Sequence, residues 1–540
     1  MPQIQSKPLV HCAPQQQTRP LIQASNIGYQ FDDGETLFTG LSCTLSTRRV
    51  GVVGRNGVGK SIFTSLLTKQ REPTQGRVTL NARVASYSQL PSTLLESQIS
   101  LAEYLQIDGV IKALERIEAG ECTADLFSIV GDYWTIKDDL ERQLESLMLP
   151  ADVHFPCKRL SGGQMARLRL WQLFQSDAEL LVLDEPSNHL DADGRCWLVK
   201  QMEQFSGSIL LVSHDRQLLR EMDRIWELTS LGLTQYGGNA DFYLERKKQE
   251  TLAIERQLNS VTKQQKQLEA QAQKNKEKFE QRAAKGSALR QKGGVPKIVL
   301  NQRRSDATAG ASNRAKNENG RRELLQNKAQ ALQAKREQLK DQKMYISEAA
   351  SRSKCLVTIV AGTLPFGNTK PIHLQLSGSE KLHLQGGNGS GKSTLLKAMQ
   401  RSVAGVAGEW HINTQVYYLD QHFGLMDGKQ SLLENVQVFC PWVAQSEART
   451  LLAGIGFRRE DVHRTLNQLS GGEKMKLAML VVSHQENHPL LLLDEPDNHL
   501  DLDSKTRLAD VLNQYKGAFV LVSHDKDFVE ECGVNREYRL

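Results

Sequence analysis

The feature that most constrains this chain is a glycine-rich run that occurs twice, each time heading the same series of strings. GRNGVGKS begins at Gly54 and GGNGSGKS begins at Gly386. LSGGQ then begins at Leu160 and LSGGE at Leu469, LVLDEPSNHLD ends at Asp191 and LLLDEPDNHLD at Asp501, and LLVSHD ends at Asp215 and VLVSHD at Asp525. Four strings repeated in one order mean two copies of one fold on one polypeptide. Each G-x-x-x-x-G-K-S run follows a β-type segment (50–53 and 381–385) and precedes a helical pattern. At ordinary residue frequencies a chain of this length supplies roughly 0.02 such runs by chance, so the pair carries meaning. A strand, a glycine loop and a helix in that order predict an α/β fold with a parallel sheet.

The spacings show where the copies differ. Lys60 to Lys392 is 332 residues, as is Gln89 to Gln421, whereas Ser161 to Ser470 is 309 and Glu185 to Glu495 is 310. The first copy therefore carries 23 extra residues between Gln89 and Ser161. That stretch has helical periodicity. Two readings stay open: longer helices within a helical subdomain, or a short arm within 94–145.

Between the copies lies a different kind of sequence. From Glu245 to Lys354 there are 27 Lys and Arg against 12 Asp and Glu, an excess of 15 in a chain of net charge +6, which leaves the remainder at −9. Ile254, Leu258, Val261, Gln265, Leu268 and Ala272 alternate by four and three. So do Leu325, Lys328, Leu332, Lys335, Leu339, Gln342 and Ile346 beyond a break at Gly293, Gly294 and Pro296. Two helices with diluted heptad seams predict an antiparallel hairpin. That charge admits two readings, a polyanionic partner for the insert or a solvated helical linker; with Phe279 and Tyr345 as its only aromatics, the hairpin would meet a polyanion through charge rather than base stacking. The domain expectation is a flexible N-terminus over 1–20, a first cassette over 21–244, a basic hairpin over 245–354 and a second cassette over 355–540.

Other classes are excluded by what is missing. No run of 18 apolar residues occurs and the N-terminus is polar, so neither membrane insertion nor a secretory route is expected. The eight cysteines are scattered without a C-x-x-C pair, which fits a reducing, cytoplasmic setting and argues against a zinc ribbon or an iron–sulfur cluster.

The chemistry of the repeated strings is that of a nucleoside triphosphate. Gly54, Gly57 and Gly59, with Asn56 among them, and Gly386, Gly389 and Gly391, with Asn388, let successive backbone N–H groups curl around phosphate oxygens at a helix N-terminus. Lys60 and Lys392 reach the β- and γ-phosphates, and Ser61 and Ser393 (followed by Thr394) offer hydroxyls to Mg²⁺. Asp184 and Asp494, at the tips of apolar strands, suit the same ion. Glu185 and Glu495, one residue on, can orient and polarise the attacking water. His214 and His524, in matching frames, suggest contacts to the γ-phosphate.

With these residues in place the sequence resembles the ABC ATPases, and in detail the ABC-F family. The resemblance rests on LSGGQ and LSGGE, the NHLD strings at Asn188–Asp191 and Asn498–Asp501, the tandem cassettes and the charged helical linker. It implies two P-loop cassettes closing head to tail within a monomer. ATP on Lys60 would be capped by Ser470, Gly471 and Gly472, and ATP on Lys392 by Ser161, Gly162 and Gly163. Gln89 and Gln421 resemble the glutamines that reach both metal and nucleotide. Phe31, with Tyr29 as the alternative, would stack on adenine in the first cassette; in the second only Phe366 is nearby. The sequence departs from the family pattern at Ile62, at Ser187 and Asp497 where threonine is usual, and at Lys476 where the first copy keeps Arg167. The function implied is a Mg²⁺-dependent ATPase acting on the ribosome, its hairpin facing rRNA and tRNA. The alternative is the ATP-binding subunit of a transporter with separate permease subunits, which would need no basic insert.

Overall fold

Runs of four or five consecutive apolar residues, such as those ending at Asp184 and Asp494, do not alternate because the strands they form are covered on both faces. In the computed structural model they lie inside parallel sheets. It describes residues 20–88, 99–188, 190–292, 316, 319–333, 355–368, 370–420, 426–457, 459–469, 471–485, 489–498 and 500–540. The chain divides into two compact units, Met1–Asp241 with Lys343–Leu540, and Phe242–Gln342.

The first unit holds both cassettes. In the first, strands run in the order Val84–Tyr87, Leu180–Asp184, Ser208–Val212, Arg49–Val53, Arg224–Thr229 and Gly232–Gly237, all parallel but the last. In the second the order is Val416–Leu419, Leu490–Asp494, Phe519–Val522, Lys381–Gln385 and Arg536–Arg539, all parallel. A three-stranded antiparallel sheet accompanies each: Thr36–Leu45, Ile22–Gln30 and Gln75–Leu80, and Ile372–Ser377, Cys355–Thr363 and Ala407–Ile412. The helix after each glycine loop ties the two sheets together. Lys60–Leu67 puts Phe63, Leu66 and Leu67, a three-and-four spacing, into one core with Ile22, Val50 and Trp226. Lys392–Met399 does the same with Leu395, Leu396 and Met399.

Each cassette also carries a helical subdomain, entered through the same device. Ser100 and Ser431 cap their helices in reciprocal boxes with Glu103 and Glu434. Beyond that point the copies diverge. Among the described residues the first cassette places Asp108–Glu118, Ala124–Val130 and Ile136–Ser146 before the helix Gly162–Phe174. Among the described residues the second has Gln445–Gly454 and short 3₁₀ turns before Gly471–Ser483. The surplus is therefore a packed knuckle. Ile111 is fully buried with Leu140, Leu144, Met165 and Leu168, and a satellite cluster unites Ala113, Leu114, Leu126, Val130 and Ile136. Its outer face leaves Phe127, Ile129 and Trp134 about half exposed.

The second unit contains the helix Ala240–Lys292 from Phe242 onward and a helical segment over 319–333. All six expected seam positions of the first helix, Ile254 to Ala272, are buried or half-buried. Leu258 and Val261 cluster with Leu325, Ala329 and Leu332, and Arg322 meets Glu269 at 3.8 Å, so the second segment runs back along the first. One seam residue differs from expectation: Lys328 is exposed and its neighbour Ala329 is buried. A four–three step from Leu325 replaces three–four, which keeps an ammonium out of the apolar seam. Lys335, Leu339, Gln342 and Ile346 lie outside the described residues.

Candidate active site

The helices Lys60–Leu67 and Lys392–Met399 begin immediately after Gly59 and Gly391, whose φ angles of 93° and 96° are left-handed. A Cβ on Gly59 would also stand 2.5 Å from Leu37, so only glycine fits there. The turn aims each lysine back into its own loop. Lys60 Nζ donates to the carbonyls of Gly54 at 2.8 Å and Arg55 at 3.1 Å, and to Asn56 Oδ1 at 3.4 Å. Lys392 Nζ donates to Gly386 O at 2.7 Å and Gly387 O at 3.0 Å. Burial lowers the pKa of both ammoniums against the pull of nearby carboxylates, Glu185, Asp501 and Asp184 for Lys60 and Glu495, Asp494 and Asp191 for Lys392.

Strand ends supply the acidic groups. Asp184 and Asp494 close their strands, and the next residues, Glu185 and Glu495, adopt φ angles of 48° and 50°. Non-glycine residues rarely take that conformation, and both are pinned in it by the adjacent strand: Glu185 N donates to Val212 O at 2.8 Å and Glu495 N to Val522 O at 2.9 Å. The strained turn aims the carboxylates at the histidines. Glu185 Oε1 lies 3.7 Å from His214 Nε2, and Glu495 Oε1 lies 3.6 Å from His524 Nε2. Burial pushes the Glu185 carboxyl up to about 7, opposed by Lys60, and raises Glu495 with help from Asp494. It also holds His214 well below its ordinary value and takes His524 to about 4, so both imidazoles are neutral near pH 7. Neither ring nitrogen of His214 has a hydrogen-bond partner among the described residues.

The donor set suits Mg²⁺. Asp184 is raised by burial and lowered by a hydrogen bond from the Ser61 hydroxyl, placing one carboxylate and one hydroxyl at the foot of the loop. No group of three or more His, Cys, Asp or Glu able to hold a metal occurs among the described residues.

The cassettes meet across these sites. A cavity of about 440 Å³ is lined by Phe31, Gly57, Gly59, Lys60, Ser61, Asp184, Glu185 and His214 from the first cassette and by Asp497, Asn498 and Lys505 from the second. Another, of about 260 Å³, joins Ser161, Gly162 and Gly163 of the first cassette to Asn388, Gly389, Glu495 and His524 of the second. Asn388 N lies 3.5 Å from Asp191 Oδ2, Arg216 bonds Glu531 and, at 2.8 Å, Thr506, and Arg220 donates to Asp527 through Nη1 and Nη2, each at 2.9 Å. Ser393 and Thr394 lie in the first turn of Lys392–Met399, and Gly471 and Gly472 open Gly471–Ser483. Tyr29 packs edge-on against Phe31 at 5.5 Å, while Phe366 is 76% exposed with its carbonyl beside Gly391. Gln89, Gln421 and Ser470 lie outside the described residues. Sequence reasoning gave no weight to Arg195 and Lys505, although a cation recurs at one position in both copies.

Two phosphate loops, two strand-end Asp-Glu pairs and two histidines in one unit define a tandem-cassette ATPase. The ABC transporter family model matches residues 38–188 and 369–498, and the chain belongs to that family. Its relatives include the putative ATP-binding protein YdiF of Bacillus subtilis, 28% identical over 94% of this chain and 78% of that one. Uup, an ATP-binding protein of Escherichia coli, is 27% identical over 90% and 75%. The ribosome protection protein VmlR of Bacillus subtilis is 26% identical over 95% and 85%. These relatives match nearly the whole chain and agree with the ABC-F resemblance. Among solved structures, the archaeal ribosome recycling factor aABCE1, crystallised with the stalk protein aP1, shares the fold at a TM-score of 0.55 and 16% identity, covering 95% of this chain and 87% of that one. No helix among the described residues is long and apolar enough to cross a membrane.

Proposed function

We propose that this ATPase works in two head-to-tail composite sites and acts on the ribosome as a translation factor. Lys60 and Lys392 bind the β- and γ-phosphates, Ser61 with Asp184 and Ser393 with Asp494 hold Mg²⁺, and Phe31 stacks on adenine at the Lys60 site. The ion, when bound, neutralises charge on the phosphate oxygens. Glu185 and Glu495 orient the attacking water, and the neutral His214 and His524 direct a nitrogen at the γ-phosphate. Gln89 and Gln421 complete the ion's surroundings, and the two signatures, Ser161–Gly163 and Ser470–Gly472, cap the opposite nucleotide.

The observation that carries the ribosome reading is the antiparallel helical pair of the second unit, which lies within a stretch, Glu245–Lys354, whose sequence carries a surplus of 15 positive charges. A surface of that charge, poor in aromatics, suits RNA phosphates rather than bases. The name of the relative VmlR, a ribosome protection protein, points the same way. A transporter subunit would leave that unit without a role. The exposed Phe127 and Trp134 of the knuckle suit a protein contact on the same particle. In the test, a Glu185→Gln/Glu495→Gln variant is sedimented with ribosomes in ATP over a salt series, with and without neutralisation of Lys274, Lys276, Lys278 and Arg282. Co-sedimentation that weakens with salt, and a flatter salt slope after neutralisation, are expected. No ribosome binding with ATP would overturn the reading.

A further inference from the structure

Four residues beyond each NHLD string stands a cation, Arg195 in the first cassette and Lys505 in the second. Both lie in the first turn of a helix capped by the aspartate of that string, and both are buried, at 6% exposure each. A buried cation is costly unless a carboxylate answers it. Each has one in its own cassette: Arg195 Nη1 lies 3.0 Å from Asp215 and Lys505 Nζ 3.0 Å from Asp525. That local pair does not account for where the cations stand.

Lys505, from the second cassette, lines the cavity of Lys60, Glu185 and His214. Arg195, from the first, lines the cavity of Glu495 and His524 and also that of Glu185 and His214. Each cassette thus lends a fixed positive charge to the glutamate–histidine pair of its neighbour. In a water-poor cavity a preorganised charge acts strongly on a nearby carboxylate, and a cation supplied across an interface is a known way to complete a phosphoryl-transfer site. The charge is secure. Burial works against the Lys505 ammonium, but Asp525, Asp497 and, from the first cassette, Asp215 outweigh it.

The two copies differ in one neighbour. Asp497, fully buried 3.8 Å from Lys505, occupies the position that Ser187 holds in the first cassette. Lys505 therefore divides its charge between two carboxylates of its own cassette, whereas Arg195 has one in its own cassette and feels Asp497 only more weakly, from across the interface.

We propose that Lys505 and Arg195 are positioning residues acting in trans, each holding the water-orienting glutamate of the opposite cassette, and that Asp497 weakens this hold and makes the Lys60 site the slower one. The proposal rests on the reading of Glu185 and Glu495 given above. It ties hydrolysis to cassette closure, because neither cation reaches its target from a separated cassette.

The test isolates each site: Glu495→Gln leaves the Lys60 site active and Glu185→Gln leaves the Lys392 site. On the first background Lys505→Met should lower kcat about tenfold with KM for ATP within about twofold, and Lys505→Arg should restore most of the loss. On the second background Lys505→Met should change kcat by less than about twofold, while Arg195→Met lowers it about tenfold. Asp497→Ser should raise kcat at the Lys60 site about twofold or more. Equal losses at both sites, or a loss confined to KM, would make the cations ordinary interface struts and overturn the assignment. If Lys505→Met lowers the unfolding temperature, Lys505→Met/Asp497→Ser removes a carboxylate left behind and must show the same site-selective loss. Failure of the base assignment reads differently, as undiminished hydrolysis in the Glu185→Gln/Glu495→Gln protein.

Discussion

At the tip of the strand Leu490–Asp494, Asp494 accepts a hydrogen bond from Tyr418 Oη at 2.8 Å. In the first cassette the residue matching Tyr418 is Ser86, and Asp184 has the Ser61 hydroxyl instead. A second contrast lies one layer out. Arg167 binds Asp191 at 2.6 Å, while its counterpart Lys476, beside Asp501, has its pKa pushed down by burial to about 8. A third is Ser187 against Asp497. The loop lysines, the serines after them and the strand-end Asp-Glu pairs are the same in both copies, down to a left-handed glutamate in each. What changed after duplication is the packing behind them. Similar nucleotide affinity with unequal turnover is the behaviour such a difference produces, because neighbours of the glutamate and the metal carboxylate tune the chemical step more than the grip on phosphate.

The harshest challenge to that comparison is to remove both glutamates. Glu185→Gln/Glu495→Gln should keep ATP binding and lose hydrolysis by about 10²- to 10⁴-fold, since the amide keeps the shape without the charge that polarises water. Phosphate release within about threefold of the parent would sink the assignment. The two single variants then give the rate of each site directly. Next in size are the caps. Ser161→Arg should disable the Lys392 site about tenfold or more while sparing Lys60, and Ser470→Arg the reverse, read by photocrosslinking of an ATP analogue to each loop. Equal loss at both sites in either variant would contradict head-to-tail capping. The smallest effect belongs to Tyr418→Phe. It removes a neutral donor that satisfies Asp494 without metal, so the Mg²⁺ concentration for half-maximal rate should fall about threefold at the Lys392 site only. An equal shift at the Lys60 site would show that the tyrosine acts through general stability.

Much of this is legible in the sequence because its causes are local. Glycines at fixed offsets from Lys60 and Lys392 specify a loop geometry, and an unbroken LVLD or LLLD specifies a strand covered on both faces. The six-position seam from Ile254 to Ala272 followed from periodicity alone, while Lys328 was misplaced because a short seam can start in either of two phases. The extra 23 residues could be counted but not placed, since an amphipathic stretch reads alike whether it projects or packs. Arg195 and Lys505 are different: their matching place four residues beyond each NHLD string marks them as a pair, but their meaning comes from a carboxylate roughly 300 positions away on the other cassette.

The left-handed backbone at Glu185 and Glu495 has an evolutionary consequence. Holding a branched-chain-free but still Cβ-bearing residue there costs on the order of 1 kcal/mol or more at each position, which glycine would recover. A glycine at either position would relieve that strain and at the same time erase the carboxylate proposed to orient water. Drift toward a sturdier fold and retention of turnover therefore pull against each other at these two positions.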